Sequence, residues 1–169
     1  IWVCGIIGIN HQAANQIALN LSSLTFMVAL GLSVAATIRV GNQKGLNNYK
    51  NLKRIAISIF LITIMIEFIF ALIFIIFSDL LPWLYLDNNG SSDVLETVTI
   101  ASKLLIIVAL FQIFDGIQIV AQGALRGIQD VKIPSIICFL SYVVFGIPIM
   151  IYLGLYTELK ATGVWIGFL

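Results

Sequence analysis

Four apolar stretches, each longer than twenty residues, limit this chain to very few architectures. They cover residues 13–38, 55–77, 98–125 and 133–155. Shorter apolar stretches lie at 1–9 and 163–169. A helix needs about 20 apolar residues to cross the hydrocarbon core of a bilayer, whereas membrane strands of about 10 residues alternate in polarity. The sequence therefore predicts an all-α fold whose helices cross a membrane several times.

The composition supports this prediction. Hydrophobic residues make up 60% of the chain and charged residues only 10%, whereas soluble domains are about 45–50% apolar and about 25% charged. The lipid bilayer is therefore the first expected partner. Because the stretches at 1–9 and 163–169 are too short to span, we expect residues 1–169 to be part of a longer chain that crosses the membrane.

The charges between the apolar stretches predict an orientation. Residues 39–54 hold five basic residues and no acid, 78–98 hold four acids and no base, and 126–132 hold two bases and one acid. Short cytoplasmic loops are rich in Lys and Arg. We therefore expect 39–54 and 126–132 in the cytoplasm and 78–98 outside, in a plasma membrane, which is the inner membrane in a bacterium. The basic loop lies between two spans, so we expect no nucleic acid partner.

Asp115 lies within the stretch 98–125, where a charged side chain is costly and usually serves an ion or substrate path. At 100° per residue it shares about a third of the helix circumference with Gln112, Gln118 and Gln122. This predicts a polar face turned away from lipid. The opposite face, which is expected to meet lipid, carries Ile113, Phe114, Ile117, Val120, Ala121 and Ala124.

Carboxylate and amide oxygens can bind a cation or a polar substrate. Asp115 is therefore a candidate to bind a cation or a polar substrate. The three glutamines are equally consistent with lining a cavity and with joining neighbouring helices, because side-chain amides also form hydrogen bonds between membrane helices.

Two further sets of polar residues lie at membrane depth. Gln16, Asn20 and Met27 follow a helical spacing in the stretch 13–38 and are candidates for lining a cavity, although close helix packing explains them too. Glu67 lies alone in an apolar stretch. It is a candidate second acid, which would bind a proton, pair with a helix outside this chain or stay neutral.

No motif in the chain indicates catalysis. The HExxH, GxSxG and GxxxxGK[ST] patterns are absent, and the chain has a single histidine. We therefore predict that the protein is not an enzyme and needs no cofactor. Cys4 and Cys138 lie in apolar stretches and are interpreted as small apolar residues.

Four segments, in this order and spacing, resemble the multidrug and toxic compound extrusion (MATE) family. Residues 15–27 and 31–41 resemble its eighth helix and the loop that follows. The run from Phe111 to Asp115, continued to Gly127 and Asp130, resembles the tenth helix and its cytoplasmic end. Residues 163–168 resemble the beginning of the twelfth helix.

The resemblance implies a parent of twelve helices in two lobes, in which this chain runs from the end of helix seven to the start of helix twelve. The missing N-terminal lobe is then a partner within the same parent chain. Such proteins exchange Na⁺ or H⁺ for amphiphilic cationic drugs. Residues 1–169 would then form nearly all of the C-terminal lobe. In some relatives an acid at the Asp115 position takes part in cation binding, so the resemblance implies that Asp115 binds the coupling cation, with Na⁺ as one candidate ion.

Three positions depart from that pattern. Phe111, a further candidate for lining the cavity, stands where some relatives have a tyrosine that assists cation binding, so one oxygen ligand is absent. The helix-seven glutamate that completes the site in those relatives lies before Ile1, and the acid that eukaryotic relatives carry near the Thr25 position is absent. The coupling ion therefore stays open between Na⁺ and H⁺.

Two other functions remain as alternatives. A flippase for lipid-linked saccharides of a related fold would carry basic residues in its cavity to meet phosphates, whereas the charges at membrane depth here are acids. A channel or structural subunit without coupled transport is the other alternative.

Overall fold

The computed structural model describes residues 2–86, 91–157 and 159–168, which are helical apart from short connections. No strand occurs among these residues, so the all-α prediction is confirmed. The helices are α1 (Trp2–Ile7), α2 (Ile9–Gly45), α3 (Tyr49–Ile76), α4 (Ser92–Gly127), α5 (Lys132–Leu155) and α6 (Lys160–Ile166). A 3-10 turn, Leu81–Leu84, follows α3. Asp87, one of the acids of the predicted external loop, lies outside the described residues, as do Ile1 and Leu169 of the two predicted partial spans.

Helices α2 to α5 are long and apolar enough to cross a membrane. Three of them extend well beyond the apolar stretches, because polar residues at a span end continue a helix until a residue stops it. Helix α2 runs to Gly45, and Asn47 then adopts a positive φ of 53°. Helix α4 runs to Gly127, and Gln129 follows with a φ of 66°. Left-handed residues of this kind are common stops at helix ends.

Small residues let α2 and α4 approach closely. The Ser33 hydroxyl donates to the backbone oxygen of Ile119 at 2.7 Å, and the Thr37 hydroxyl donates to that of Gly123 at 2.8 Å. A Cβ atom at Gly123 would overlap the Ser33 backbone. Lipid tails are as apolar as hydrophobic side chains, so the hydrophobic effect does not drive membrane helices together. Close packing and hydrogen bonds of this kind hold them in contact instead.

Apolar residues fill the space between α1, α2, α4 and α6. Leu104, Leu105 and Val108 of α4 are fully buried there. The Trp165 indole of α6 is also buried and donates to Asn15 Oδ1 of α2 at 3.0 Å. This bond holds the short final helix against the longest one.

The prediction that Val120 faces lipid is wrong. Val120 is fully buried and packs in a cluster with Ala36 and Ile59, whereas Phe114 of the same predicted face is 60% exposed. Helix α4 contacts α2 on one side and α3 on another. Two neighbours therefore cover more of its circumference than the sequence pattern indicated, and its exposed apolar strip is narrow.

The α2–α4 contact predicts different effects for two glycine substitutions. Gly123→Ala places a methyl group against the Ser33 backbone and should destabilise the protein by about 1–3 kcal/mol, the usual effect of overpacking. Gly31→Ala is the matched control, because nothing lies within 4 Å of the added Cβ there and the helix gains propensity. Thermal unfolding in detergent measures both. Equal unfolding temperatures would contradict the contact.

Candidate functional site

A cavity of about 450 Å³ lies between α4 and α5, and Phe26 of α2 closes one side. Three of the four polar residues predicted to share a face of α4 meet here, so the sequence pattern located one wall of the cavity. Its lining residues are Phe26, Asp115, Gln118, Ile119, Gln122, Ser135, Cys138 and Tyr142.

The cavity exists because α5 stands apart from α4. No residue of Lys132–Gly146, the first two thirds of α5, is buried. Ser135, Cys138 and Tyr142 follow spacings of three and four, which place them on one side of the helix. Tyr142 lies within Leu140–Gly146, a segment of wider π-helical turns, and such turns often occur at functional sites.

Hydrogen bonds cross this gap and orient the two glutamines. The Tyr142 hydroxyl donates to Gln118 Oε1 at 2.9 Å. The Gln118 and Gln122 amides both donate to the Cys138 sulfur, at 3.3 Å and 3.1 Å. Cys138 is therefore a polar acceptor in the wall of the cavity and not merely the small apolar residue expected from the sequence.

Asp115 is the only carboxylic acid among the lining residues of the cavity. Within the described part of the chain it receives no hydrogen bond and forms no ion pair, and none of the lining residues is basic. Phe26 and Tyr142 add aromatic surface, which attracts organic cations. The arrangement suits a small cation at the carboxylate or an amphiphilic cation that also contacts the rings.

A second cavity of about 380 Å³ continues the first toward α6. Gln118 and Tyr142 line both cavities, so their hydrogen bond lies where the two meet. Phe145, Ile149 and Phe168 give the second cavity an apolar wall. Both cavities therefore combine polar groups with apolar or aromatic surface.

Two predicted residues of α4 lie elsewhere. Gln112 is 3% exposed and contacts α3, where its amide lies 3.5 Å from the Glu67 backbone oxygen. Phe111 packs edge-on against Trp165, with ring centres 5.8 Å apart, and against Phe168 at 6.3 Å. Neither lines the Asp115 cavity. Helix α3 covers one side of Gln112, which the helical period alone does not reveal.

The predicted stripe on α2 also lies outside this cavity. Gln16 donates to Asn20 at 3.4 Å on an exposed surface, and Met27 is 66% exposed. Phe26, the neighbour of Met27, contributes to the cavity instead. Sequence reasoning missed Phe26, Ser135 and Tyr142, although the polar spacing along α5 was an available signal. Glu67 is enclosed between α3 and α4.

Comparisons with known proteins identify the family that the sequence motifs resemble. The MatE family model matches residues 1–152. "Probable multidrug resistance protein NorM" of Rhodopseudomonas palustris is 39% identical over 155 residues, which are 92% of this chain and 32% of that protein. "Multidrug resistance protein MdtK" of Proteus mirabilis is 36% identical over 167 residues, with 96% and 35% covered.

A crystal structure of the eukaryotic MATE transporter AtDTX14 matches in fold. Its TM-score is 0.83 at 23% identity, over 92% of this chain and 34% of that one. This chain thus spans about a third of the length of the relatives it matches.

The position of Cys138 predicts its reactivity. A small thiol reagent should label Cys138, which is partly exposed in the cavity, and leave Cys4, which is fully buried. Mass spectrometry of the Cys4→Ser and Cys138→Ser variants distinguishes the two thiols. Absence of labelling in Cys4→Ser would contradict an accessible cavity between α4 and α5, and labelling that persists in Cys138→Ser would contradict the burial of Cys4.

Proposed function

Because this chain belongs to the MatE family, a family of transporters and not of enzymes, we propose that it forms part of a cation-coupled multidrug efflux antiporter. Four apolar helices and bacterial relatives make it a multi-pass membrane protein. The observation that carries the proposal is the carboxylate of Asp115, which faces a cavity without a basic residue in its lining.

The proposed substrates are amphiphilic cations. Two bacterial relatives bear the names of multidrug resistance proteins. In this chain the carboxylate attracts a positive group, while Phe26 and Tyr142 offer aromatic surface at the same cavity. A carrier of lipid-linked saccharides would need cationic groups to meet phosphates, and the Asp115 cavity has none among its lining residues.

The proposed mechanism is alternating access. A coupling cation, Na⁺ or H⁺, binds Asp115 from outside and displaces a cationic drug from the same carboxylate. Competition for one negative charge couples the two movements in opposite directions. A one-for-one exchange of monovalent cations moves no net charge, so the concentration gradient of the coupling ion supplies the driving force. Each tenfold gradient is worth about 1.4 kcal/mol and can concentrate a drug up to about tenfold.

The rest of the transporter and its orientation belong to the same proposal. The remaining two thirds of the relatives' length supply an N-terminal lobe that faces this one. Loops 39–54 and 126–132 lie in the cytoplasm and loop 78–98 outside, in a plasma membrane that is the inner membrane in a bacterium. Gln16, Asn20 and Met27 then line the interlobe cavity from the exposed surface of α2.

Asp115→Asn in the full-length transporter should abolish drug efflux while the protein still reaches the membrane, because the amide keeps the shape and loses the charge. Asp93→Asn, at the exposed start of α4, is the matched control and should transport normally. Dye flux into vesicles with imposed Na⁺ or H⁺ gradients measures both variants and identifies the coupling ion. Dye movement that ignores both gradients would exclude antiport and favour an uncoupled channel.

Tyr142→Phe should have a smaller and different effect. It removes one hydrogen bond to Gln118, worth about 0.5–1.5 kcal/mol, and keeps the aromatic ring. We expect drug affinity to fall by up to about tenfold while coupling to the ion gradient persists. Loss of gradient dependence in this variant would place Tyr142 in the cation site instead.

A further inference from the structure

Glu67 is an acid with 1% of its surface exposed, in the middle of α3. Its side chain packs against α4 at Gly116, where an added Cβ atom would lie 2.7 Å from Glu67 Cγ and 3.0 Å from Oε1. Only a glycine therefore fits opposite this glutamate. The carboxyl group is enclosed by two helices of this chain and does not face the Asp115 cavity.

The surroundings of Glu67 are rich in hydrogen-bond acceptors and poor in donors. Both carboxyl oxygens and Gln112 Oε1 are buried and have no hydrogen-bond partner among the described residues. The Thr63 hydroxyl, one turn earlier, already donates to Ile59 at 2.8 Å. The Gln112 amide is directed to the Glu67 backbone oxygen. Buried acceptors without donors are unfavourable, so a donor is missing here.

No positive charge in the part of the chain that the structure describes compensates Glu67 either. Helix α2, which packs against α3, has no ionisable side chain between His11 and Arg39. Helix α4 has only Asp115 between Lys103 and Arg126, and that charge is also negative. A buried carboxylate without a counter-ion or hydrogen bonds costs several kcal/mol. One proton removes the charge and also supplies a donor.

We propose that Glu67 is a second proton-binding site of the transporter, which keeps its proton while α3 and α4 pack as they do here and releases it to water when this contact opens. The inference rests on the proposed function. A metal cation does not suit the site, because the contact with Gly116 leaves no room for a shell of oxygen ligands.

Helix α4 links this site to Asp115. Residues 115 and 116 are neighbours in the chain, and one faces the cavity while the other faces Glu67. A rotation of α4 that follows cation binding at Asp115 must also move Gly116 relative to Glu67. Two negative charges on these side chains at the same time would repel each other strongly in a low-dielectric interior. Occupancy of one acid thus influences the other.

Infrared spectroscopy of the full-length transporter tests the proton directly, because a neutral carboxylic acid absorbs apart from a carboxylate. At pH 8 exposed acids are ionised, since their ordinary pKa values are about 4. We expect a neutral-acid band in the wild type, in Asp115→Asn and in the control Asp93→Asn. Glu67→Gln should lose the part of that band that one carboxylic acid contributes, whether or not Asp115 also carries a proton. Equal band intensity in Glu67→Gln and the wild type would overturn the proposal.

Transport tests the release of the proton. Glu67→Gln imitates the permanently neutral acid, so the pH dependence of dye efflux at a fixed ion gradient should shift from that of the wild type. Asp93→Asn should reproduce the wild-type profile. Superimposable profiles of Glu67→Gln and the wild type would overturn the proposal, because the proton would then never leave.

Different results would contradict the cation site at Asp115 and the proton site at Glu67. If Asp115→Asn transports normally, the proposed cation site is wrong, while the infrared band still reports on Glu67. If Glu67→Gln does not fold, the infrared spectrum of Asp115→Asn still tests the proton on Glu67. Absence of a neutral-acid band from the Asp115→Asn spectrum at pH 8 would show that Glu67 is ionised and would overturn the proposed proton site.

Discussion

The close contact between α2 and α4 is the constraint on which the rest of the structure depends. Ser33 and Thr37 bond to backbone carbonyls of α4, and Gly123 leaves no room for a side chain between the helices. This sets the rotation of α4 about its own axis. With Gly123 facing α2 and Gly116 facing α3, the side chains of Asp115 and its two glutamine neighbours face α5.

The sequence was sufficient to predict the helices, but only part of the site. Long apolar stretches predict spans because nothing else in a bilayer satisfies the backbone. The helical period correctly grouped Asp115, Gln118 and Gln122. It failed for Gln112 and Val120, because a period describes one helix and their burial depends on how many neighbours surround it. The contribution of Cys138 and Tyr142 likewise depends on where α5 lies.

Two acids at membrane depth occupy opposite environments. Asp115 faces a cavity and has no partner in the described part of the chain, whereas Glu67 is enclosed against a glycine. Sequence reasoning ranked them by their polar neighbours along the chain, so Glu67, in an apolar stretch, received less weight. The structure shows that an apolar stretch can enclose an acid when a facing helix contributes glycine. Asp115 is therefore open to exchange with ligands. The protonation of enclosed Glu67, in contrast, can change only when the packing of α3 against α4 changes.

The lengths of α2 and α4 have a mechanical consequence. At 1.5 Å per residue, their 37 and 36 residues extend about 55 Å, well beyond the roughly 30 Å of a hydrocarbon core. They are bonded in the last third of each helix by Ser33 and Thr37, and at their C-terminal ends by the Lys44 ammonium, which donates to the Ile128 backbone oxygen. Near their other ends, the Asn10 amide donates to Glu96 Oε2 at 2.7 Å. The two helices are therefore expected to move as one rigid unit. A tilt of a few degrees within the bilayer becomes a displacement of several ångströms at residues 46–48 and 128–131, where a spectroscopic probe would sense it best.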